Sequence, residues 1–423
     1  MSERVPDGWM LKIVRDTSKL SAGGTPSTQV TEYWENGTIP WMSSGEVHKK
    51  RVHSVDNCIT TLGLENSSAK MFPSKSILVA LAGQGKTRGT VAISEIELTT
   101  NQSIAAIIVK DKSVYPDFLY HNLDSRYEEL RGVSGGSGRA GLNLAILGDL
   151  DVLLPPLPEQ QKIAKILTSV DEVIDKTQAQ IDKLKDLKTG MMQELLTQGV
   201  CIDGQPHTEF KDSPVGRIPN TWRCKKLGEL VIEKGLQTGP FGSQLHSHEY
   251  IESGIPVVMP KDMKGNRVSK DSIAMISKEK AEELDKHRVV EGDILFSRRG
   301  DIGRFALIEE QNSGWVCGTG ALRVRVSSEL NASFLAAYLT LKAVIEWLNV
   351  NAVGQTMLNL NTSILAELPV VVPSKSEQLL IAKTLKSIDD NLNTKLGRLE
   401  QLDLMKKALM QDLLTGKVRV TID

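Results

Sequence analysis

Apolar residues at Ile163, Leu167, Val170, Ile174, Ile181 and Leu184 step by fours and threes, with Thr177 at the one polar place in the series. The series returns at Ile381, Leu385, Ile388, Leu392, Leu399 and Leu402, with Lys395 at the polar place. This is the heptad spacing of a helix that packs on another helix, so two long helices are predicted, the first from about Glu159 to Thr197. Pro158 suits the first turn of the first helix, and Ser376 can cap the second. Two matching seams in one chain make each other the obvious coiled-coil partner. An amphipathic helix laid on a globular core is the alternative for each.

The helical segments are copies of one another. "EQQKIAKILTSVDEVIDKTQAQIDKLKDLKTGMMQELLTQGV" from Glu159 and "EQLLIAKTLKSIDDNLNTKLGRLEQLDLMKKALMQDLLTGKV" from Glu377 align without a gap at an offset of 218, with 16 of 42 positions identical. The stretches before them repeat more weakly. "VPDGW" at Val5 answers "IPNTW" at Ile218, and "SILVALAGQG" at Ser76 answers "DILFSRRGDIG" at Asp293. The chain therefore reads domain, helix, domain, helix: residues 1–153, a helix in 154–200, a linker over 201–217, a second domain in 218–371 and a helix in 372–420.

"ALAGQGKT", residues 80–87, fits the loose form of a phosphate-binding loop, which would make the chain a nucleotidase. That loop needs a helix N-terminus after the Thr. "RGTVAI" follows instead, β-branched and Gly-containing, and predicts a turn and a second strand. The second copy, "ILFSRRGDIGRFALI", keeps Gly300 and Gly303 as counterparts of Gly83 and Gly89 but has no Gly-Lys-Thr. The glycines serve a hairpin turn, and Lys86 sits at its tip.

The 423 residues suffice for two or more domains, and 40% hydrophobic with 24% charged is an ordinary globular composition. No apolar run has bilayer length, and "MSERVPDGWMLK" has no signal-peptide core. The four scattered cysteines suit a reducing cytoplasm, and the 7 histidines form no metal-ligand spacing. Net charge is −1; residues 1–150 carry 16 basic and 16 acidic side chains, and residues 204–370 carry 20 of each. Any nucleic-acid contact must therefore be focal, and binding by this chain alone weak.

The paired "EQQKIAKIL" and "EQLLIAKTL" helices with their "LLTQGV" and "LLTGKV" ends, together with "YWENGTIPWMSSGEV", "GDILFSRRGDIG" and "FKDSPVGRIPNTW", resemble the specificity subunit of type I restriction-modification systems over nearly the whole chain. The resemblance implies a mixed α/β (α+β) fold with two target-recognition domains held apart by two antiparallel helices. Each domain would read one half of a split, asymmetric site in double-stranded DNA. Two adenine methyltransferase subunits and two restriction/motor subunits would assemble around the chain. It implies no catalytic residue, metal or cofactor here; S-adenosylmethionine, ATP and magnesium would belong to the partners. A coiled-coil scaffold without a nucleic-acid role and a subunit serving methylation alone are the remaining alternatives.

If DNA is the ligand, the candidate contacts in the first domain are Lys49, Lys50 and Arg51, the hairpin residues Gln84, Lys86 and Arg88, and Arg139 in a Gly-rich loop. Asn101 and Gln102 could meet adenine edges. In the second domain Arg298, Arg299 and Arg304 surround the hairpin glycines, and Arg is the side chain for bidentate contact with guanine or phosphate. Lys261, Lys264, Arg267 and Lys270 form a basic stretch, and Gln237 and Gln244 lie on a Gly-rich loop.

Overall fold

The computed structural model describes residues 5–83, 85–132, 142–200, 206–241, 243–354 and 359–422. Two compact units make up the chain: Met1–Ala179 with Leu396–Asp423, and Gln180–Lys395. Each unit thus holds one domain and half of each long helix.

In the first unit the central sheet runs Ser18–Ala22, Ile104–Val109, Ile77–Ala80, Val91–Ser94, Arg51–Val52, antiparallel except for the last pair. All four residues of Ile77–Ala80 are buried, as expected of a strand covered on both faces. The helix Pro116–Ser125 packs across it. A smaller sheet pairs Ile39–Met42 with Asn57–Ile59 and, in parallel, with Thr99–Thr100. The second unit repeats the scheme. Val231–Thr238, Ala321–Val326, Ile294–Ser297 and Phe305–Leu307 form its main sheet, and Ile255–Val258 again pairs in parallel with a short strand, Val316–Cys317. Within the stretch read as a linker, Phe210–Ser213 pairs with the strand Gly216–Pro219, and Gly216 takes the positive φ of the turn (107°).

The long helices span Leu157–Thr197 and Lys375–Leu414. Ser376 lies inside the second helix; the cap is Ser374, whose hydroxyl accepts from the Glu377 N–H at 3.3 Å. In the second unit Lys188 meets Asp389 at 2.6 Å and Lys395 meets Gln180 at 2.7 Å. In the first, Lys406 meets Asp171 at 2.7 Å and Arg419 meets Glu159 at 2.7 Å. In the second unit partner numbers fall on one helix as they rise on the other, and in the first Ile163 and Leu167 share a core with Met410 and Leu414 while Asp171 faces Lys406, so the helix segments of each unit run antiparallel. The Asp171–Lys406 and Asp389–Lys188 pairs are related by the repeat itself.

All twelve seam residues are buried or half-buried. Four of them correct the expectation of a pure coiled-coil seam. Ile163 and Leu167 belong to the first domain's core with Trp9 and Leu154, and Ile381 and Leu385 to the second's with Trp222 and Val370. The helix ends lie against the domains, so the seam is apolar there for the domain's sake. Val170, Ile174, Ile181, Leu184, Ile388, Leu392, Leu399 and Leu402 lie nearer the middle of the helices. At the polar place, the Thr177 hydroxyl donates to the Val173 carbonyl at 2.7 Å, which lets it be buried.

The repeated Glu-Gln pair joins helix to domain. Gln160 Nε2 donates to the carbonyls of Ser113 and Pro155, both at 2.8 Å, and Gln160 Oε1 accepts from the Tyr115 N–H. Gln378 does the same with the carbonyls of Glu329 and Pro373 and the Asn331 N–H. Buried backbone groups require such partners, so the pair is retained in both copies.

Candidate nucleic-acid interface

The first hairpin joins Ile77–Ala80 to Val91–Ser94, and its tip turns through Gly85 (φ 63°) and Gly89 (φ 83°). Strand follows the Gly-Lys-Thr, not helix, so the phosphate-cradling arrangement is absent there. Two side chains hold the tip. Arg131 Nη1 donates to the Gly85 carbonyl and to the Tyr127 hydroxyl at 2.6 and 2.7 Å, and the Tyr127 hydroxyl donates to the Lys86 carbonyl at 3.1 Å. Sequence reasoning missed both residues, because nothing local ties the helix Tyr127–Gly132 to a turn some forty positions earlier. The Lys86 side chain is exposed. It borders an open cleft of about 700 Å³ lined also by His48, Lys50, Thr87, Tyr127 and Arg131, with Glu128 as its one acid. Arg88 is half-buried, its Nε enclosed without a partner among the described residues.

The basic run His48–His53 is less available than its charge suggests. Lys49 Nζ bonds Asp56 and Glu46 at 2.8 and 2.7 Å, and these bonds, Asp56 first, hold its pKa above the ordinary lysine value. Lys50 Nζ meets Asp124 at 2.5 Å. Arg51 turns inward: Nη1 donates to Glu95 and Asp117 at 2.6 and 2.7 Å, and Nη2 to Thr168 on the first long helix. Burial opposes the Arg51 charge, yet the bond from Asp117 and its attraction raise the pKa. Behind this network lies His121, fully buried, its pKa lowered to about 3 by burial and then by Lys406 and Arg51, so its ring is neutral. Gln102 Oε1 accepts from the Thr25 hydroxyl at 2.6 Å, and Asn101 Oδ1 accepts from the Ser103 N–H at 3.1 Å. Gln84 and Arg139 lie outside the described residues.

The second hairpin joins Ile294–Ser297 to Phe305–Leu307 and turns through Gly300 (φ 81°) and Gly303 (φ 95°). Arg298 lays its guanidinium over the Phe241 ring, 5.9 Å from the centroid, and its Nε has no partner among the described residues. Arg299 is exposed. Arg304 forks onto Asp301 Oδ2 at 3.0 and 2.9 Å. Lys261 and Arg304 line an open cleft of about 560 Å³ with Lys264, Asn266 and Ile345. Arg267 faces Glu309 and Asp390, at 3.6 and 3.9 Å, and Lys270 stands over the Trp315 ring. Gln237 Oε1 accepts from Arg323 at 2.8 Å, and Gln244 Oε1 accepts from the Phe241 N–H at 3.1 Å. Under the hairpin the buried Asp293 receives both Nε and Nη2 of Arg325 at 2.7 Å; the first copy has Ser76 there. The structure thus brings Lys50 and Lys86 to one cleft and Lys261 and Arg304 to another, and leaves Arg51 in the interior.

Comparison with known proteins accounts for the duplication. The family model described as the type I restriction modification DNA specificity domain matches residues 6–186 and again 219–404. The chain belongs to the type I restriction-modification specificity-subunit family. Among the relatives of this specificity subunit, the MjaVIII specificity subunit of Methanocaldococcus jannaschii is 25% identical, covering 99% of this chain and 94% of its own. The MjaIX specificity subunit of the same organism is 26% identical over 99% and 95%. The EcoR124I/EcoR124II specificity subunit of Escherichia coli is 29% identical over 38% of this chain and 40% of its own. The crystal structure of the S subunit from M. genitalium shares the fold, with a TM-score of 0.63 at 15% identity over 100% of this chain and 99% of that one. Among the described residues no single helix is long and apolar enough to cross a membrane, and no cluster of His, Cys, Asp and Glu is placed to hold a metal ion.

Proposed function

We propose that this specificity subunit is the non-catalytic sequence reader of a type I complex, with each domain reading one half of an asymmetric, bipartite site in double-stranded DNA. The observation that carries the reading is the duplication: two domains matched by one family model, each presenting a glycine-turned hairpin with cations at its tip, each joined to its helix by the same buried Glu-Gln pair. A pseudo-symmetric reader suits a split site whose halves differ in sequence. In the first domain Lys86 is the contact we favour, Lys50 stands in the same cleft held by Asp124, and Arg51 supports the domain from within. In the second, Arg298 and Arg299 are the base-reading candidates, with Lys261 and Lys264 facing phosphate. Each domain has balanced charge, so two methyltransferase subunits complete the grip on DNA, and two motor-nuclease subunits add cleavage. Those partners bring S-adenosylmethionine, ATP and magnesium, and transfer the methyl group to adenine in a cytoplasmic complex.

The test is methylation mapping and binding with the assembled methyltransferase complex. Arg298→Ala and Arg299→Ala should weaken recognition of one half-site by about 1–3 kcal/mol and leave the other intact. Unchanged preference at both half-sites would refute the assignment. Methylation, cleavage or ATP hydrolysis by the purified chain alone would refute the non-catalytic reading.

A further inference from the structure

The first strand of the second domain's main sheet, Val231–Thr238, is followed by "GPFGSQL", residues 239–245, of which Gly242 lies outside the described residues. The loop is fastened at both ends. Gly239 and Pro240 are buried, and so is Leu245. The Gly239 N–H donates to the Ala321 carbonyl at 2.9 Å, and a Cβ at 239 would lie 2.0 Å from the Gly318 carbonyl oxygen. Only glycine lets the backbones approach that closely. Gln244 closes the turn, donating its N–H to the Phe241 carbonyl at 2.8 Å and accepting the Phe241 N–H on its side chain. Between these anchors Phe241 projects outward, 55% exposed and a member of none of the domain's buried clusters.

The ring is not isolated. Arg298 covers it on one side, and the Arg298 N–H bonds the Gly320 carbonyl at 2.9 Å, which fixes the hairpin tip beside the loop. Arg299, the following residue of the tip, is exposed and has no side-chain partner among the described residues. An exposed apolar ring therefore stands beside a guanidinium of the hairpin tip, the kind of side chain suited to base edges. The major groove offers one apolar feature to such a ring, the 5-methyl group of thymine. Among the described residues the first domain has no equivalent. Its strand Ser18–Ala22 leads into "GGTPST", where the Thr25 hydroxyl is turned onto Gln102.

We propose that Phe241, steadied by Arg298, is a specificity-determining residue of the second domain that receives the 5-methyl group of a thymine in that domain's half-site. This rests on the reading of the second domain as a DNA reader. The test uses the methyltransferase complex assembled with this chain and duplexes carrying its own target. Each thymine of the half-site assigned to the second domain is replaced in turn by deoxyuridine, which keeps the pairing edge and lacks only the methyl group. One replacement should weaken wild-type binding about three- to fivefold, the value of one buried methyl-sized group. Phe241→Ala should bind the thymine duplex weaker by a similar factor and be indifferent to that replacement; Phe241→Leu should retain part of the sensitivity. The proposal is overturned by an undiminished deoxyuridine effect in Phe241→Ala, or by a half-site with no sensitive thymine. It is also overturned if Phe241→Ala weakens subunit assembly with base preference intact, which would assign the ring to a protein partner. Were the second domain no DNA reader at all, Arg298→Ala and Arg299→Ala would also leave both half-sites unchanged, and that result separates the two failures.

Discussion

Glu159 and Glu377 occupy the same place in the two copies, each 1% exposed, and have different partners. Glu159 takes both Nε and Nη2 of Arg419, a half-exposed guanidinium. Glu377 takes the indole N–H of the fully buried Trp222 at 3.0 Å, the His207 ring at 2.9 Å and the Val200 N–H at 3.1 Å. The equivalent Trp9 indole N–H has no partner among the described residues, and Arg419 lies over that ring. Duplication has kept the buried acceptor and let the donors drift. A buried carboxylate must be paired, but any geometrically suitable donor will satisfy it.

The largest expected effect breaks this pair of sites. Glu377→Ala strands a buried indole N–H and should destabilise the second unit by about 3 kcal/mol or more. Glu159→Ala removes the same atoms but frees Arg419 to turn to water, and should cost only about 1 kcal/mol in the first unit. Hydrogen exchange read separately over the two units measures both. Equal losses would show that the differing partners do not matter.

The repeat-related lysines sharpen the contrast. Lys406 is 17% exposed and serves Asp171 and Asp124, whereas Lys188 is 29% exposed and, among the described residues, serves Asp389. Burial works against the Lys406 charge, but attraction to the two carboxylates outweighs it and raises the pKa; burial likewise raises Asp171. Lys406→Met keeps the stem and leaves two enclosed carboxylates, which should cost about 2–3 kcal/mol. Lys188→Met should cost less than about 1 kcal/mol. Denaturant midpoints at constant slope decide it, and a reversed order would overturn the view that enclosure sets the value of the pair.

The smallest effect is a pH dependence. Burial lowers the pKa of His121 to about 3 and that of His287 to about 4. In the unfolded chain each imidazole takes up a proton as pH falls through about 6.5, while the folded one stays neutral. The stability they contribute is thus complete above about 6.5 and lost as pH falls toward 3 in the first unit and 4 in the second. At pH 5 the stability lost through His121 is about 2 kcal/mol; Asp171, whose pKa burial raises, works in the opposite sense as pH falls. Melting at pH 7 and pH 5 should show a fall that His121→Gln reduces in the first unit alone. A fall of the same size in that variant would place its origin elsewhere.

The helices and the repeat were legible in the sequence because heptad spacing and gapless copies are local signals. The hairpins were legible because β-branched runs flank positive-φ glycines, and the second copy exposed the Gly-Lys-Thr as incidental. Which cations are free was not legible. Lys49, Lys50 and Arg51 form the densest positive run of the first domain, yet Lys50 meets Asp124 and Arg51 meets Glu95 and Asp117, partners set by the sheet and not by proximity in the chain. The Glu-Gln identity was visible, but its purpose lies in carbonyls that only the fold brings to the helix start.

The first compact unit contains residues 1–179 and 396–423, with the whole second unit threaded between them in sequence. Met410, Leu413 and Leu414 pack into the same core as Trp9, Val152 and Leu167, and a Cβ on Gly416 would meet Pro6 at 2.6 Å. During synthesis, then, the domain made first is finished last. Its sheet can form early, but some 200 residues must emerge before its own core is closed, which is a contact order far above that of a domain folding within one stretch. Until then an apolar face waits uncovered on the nascent chain, and the helix that covers it arrives only after the second domain.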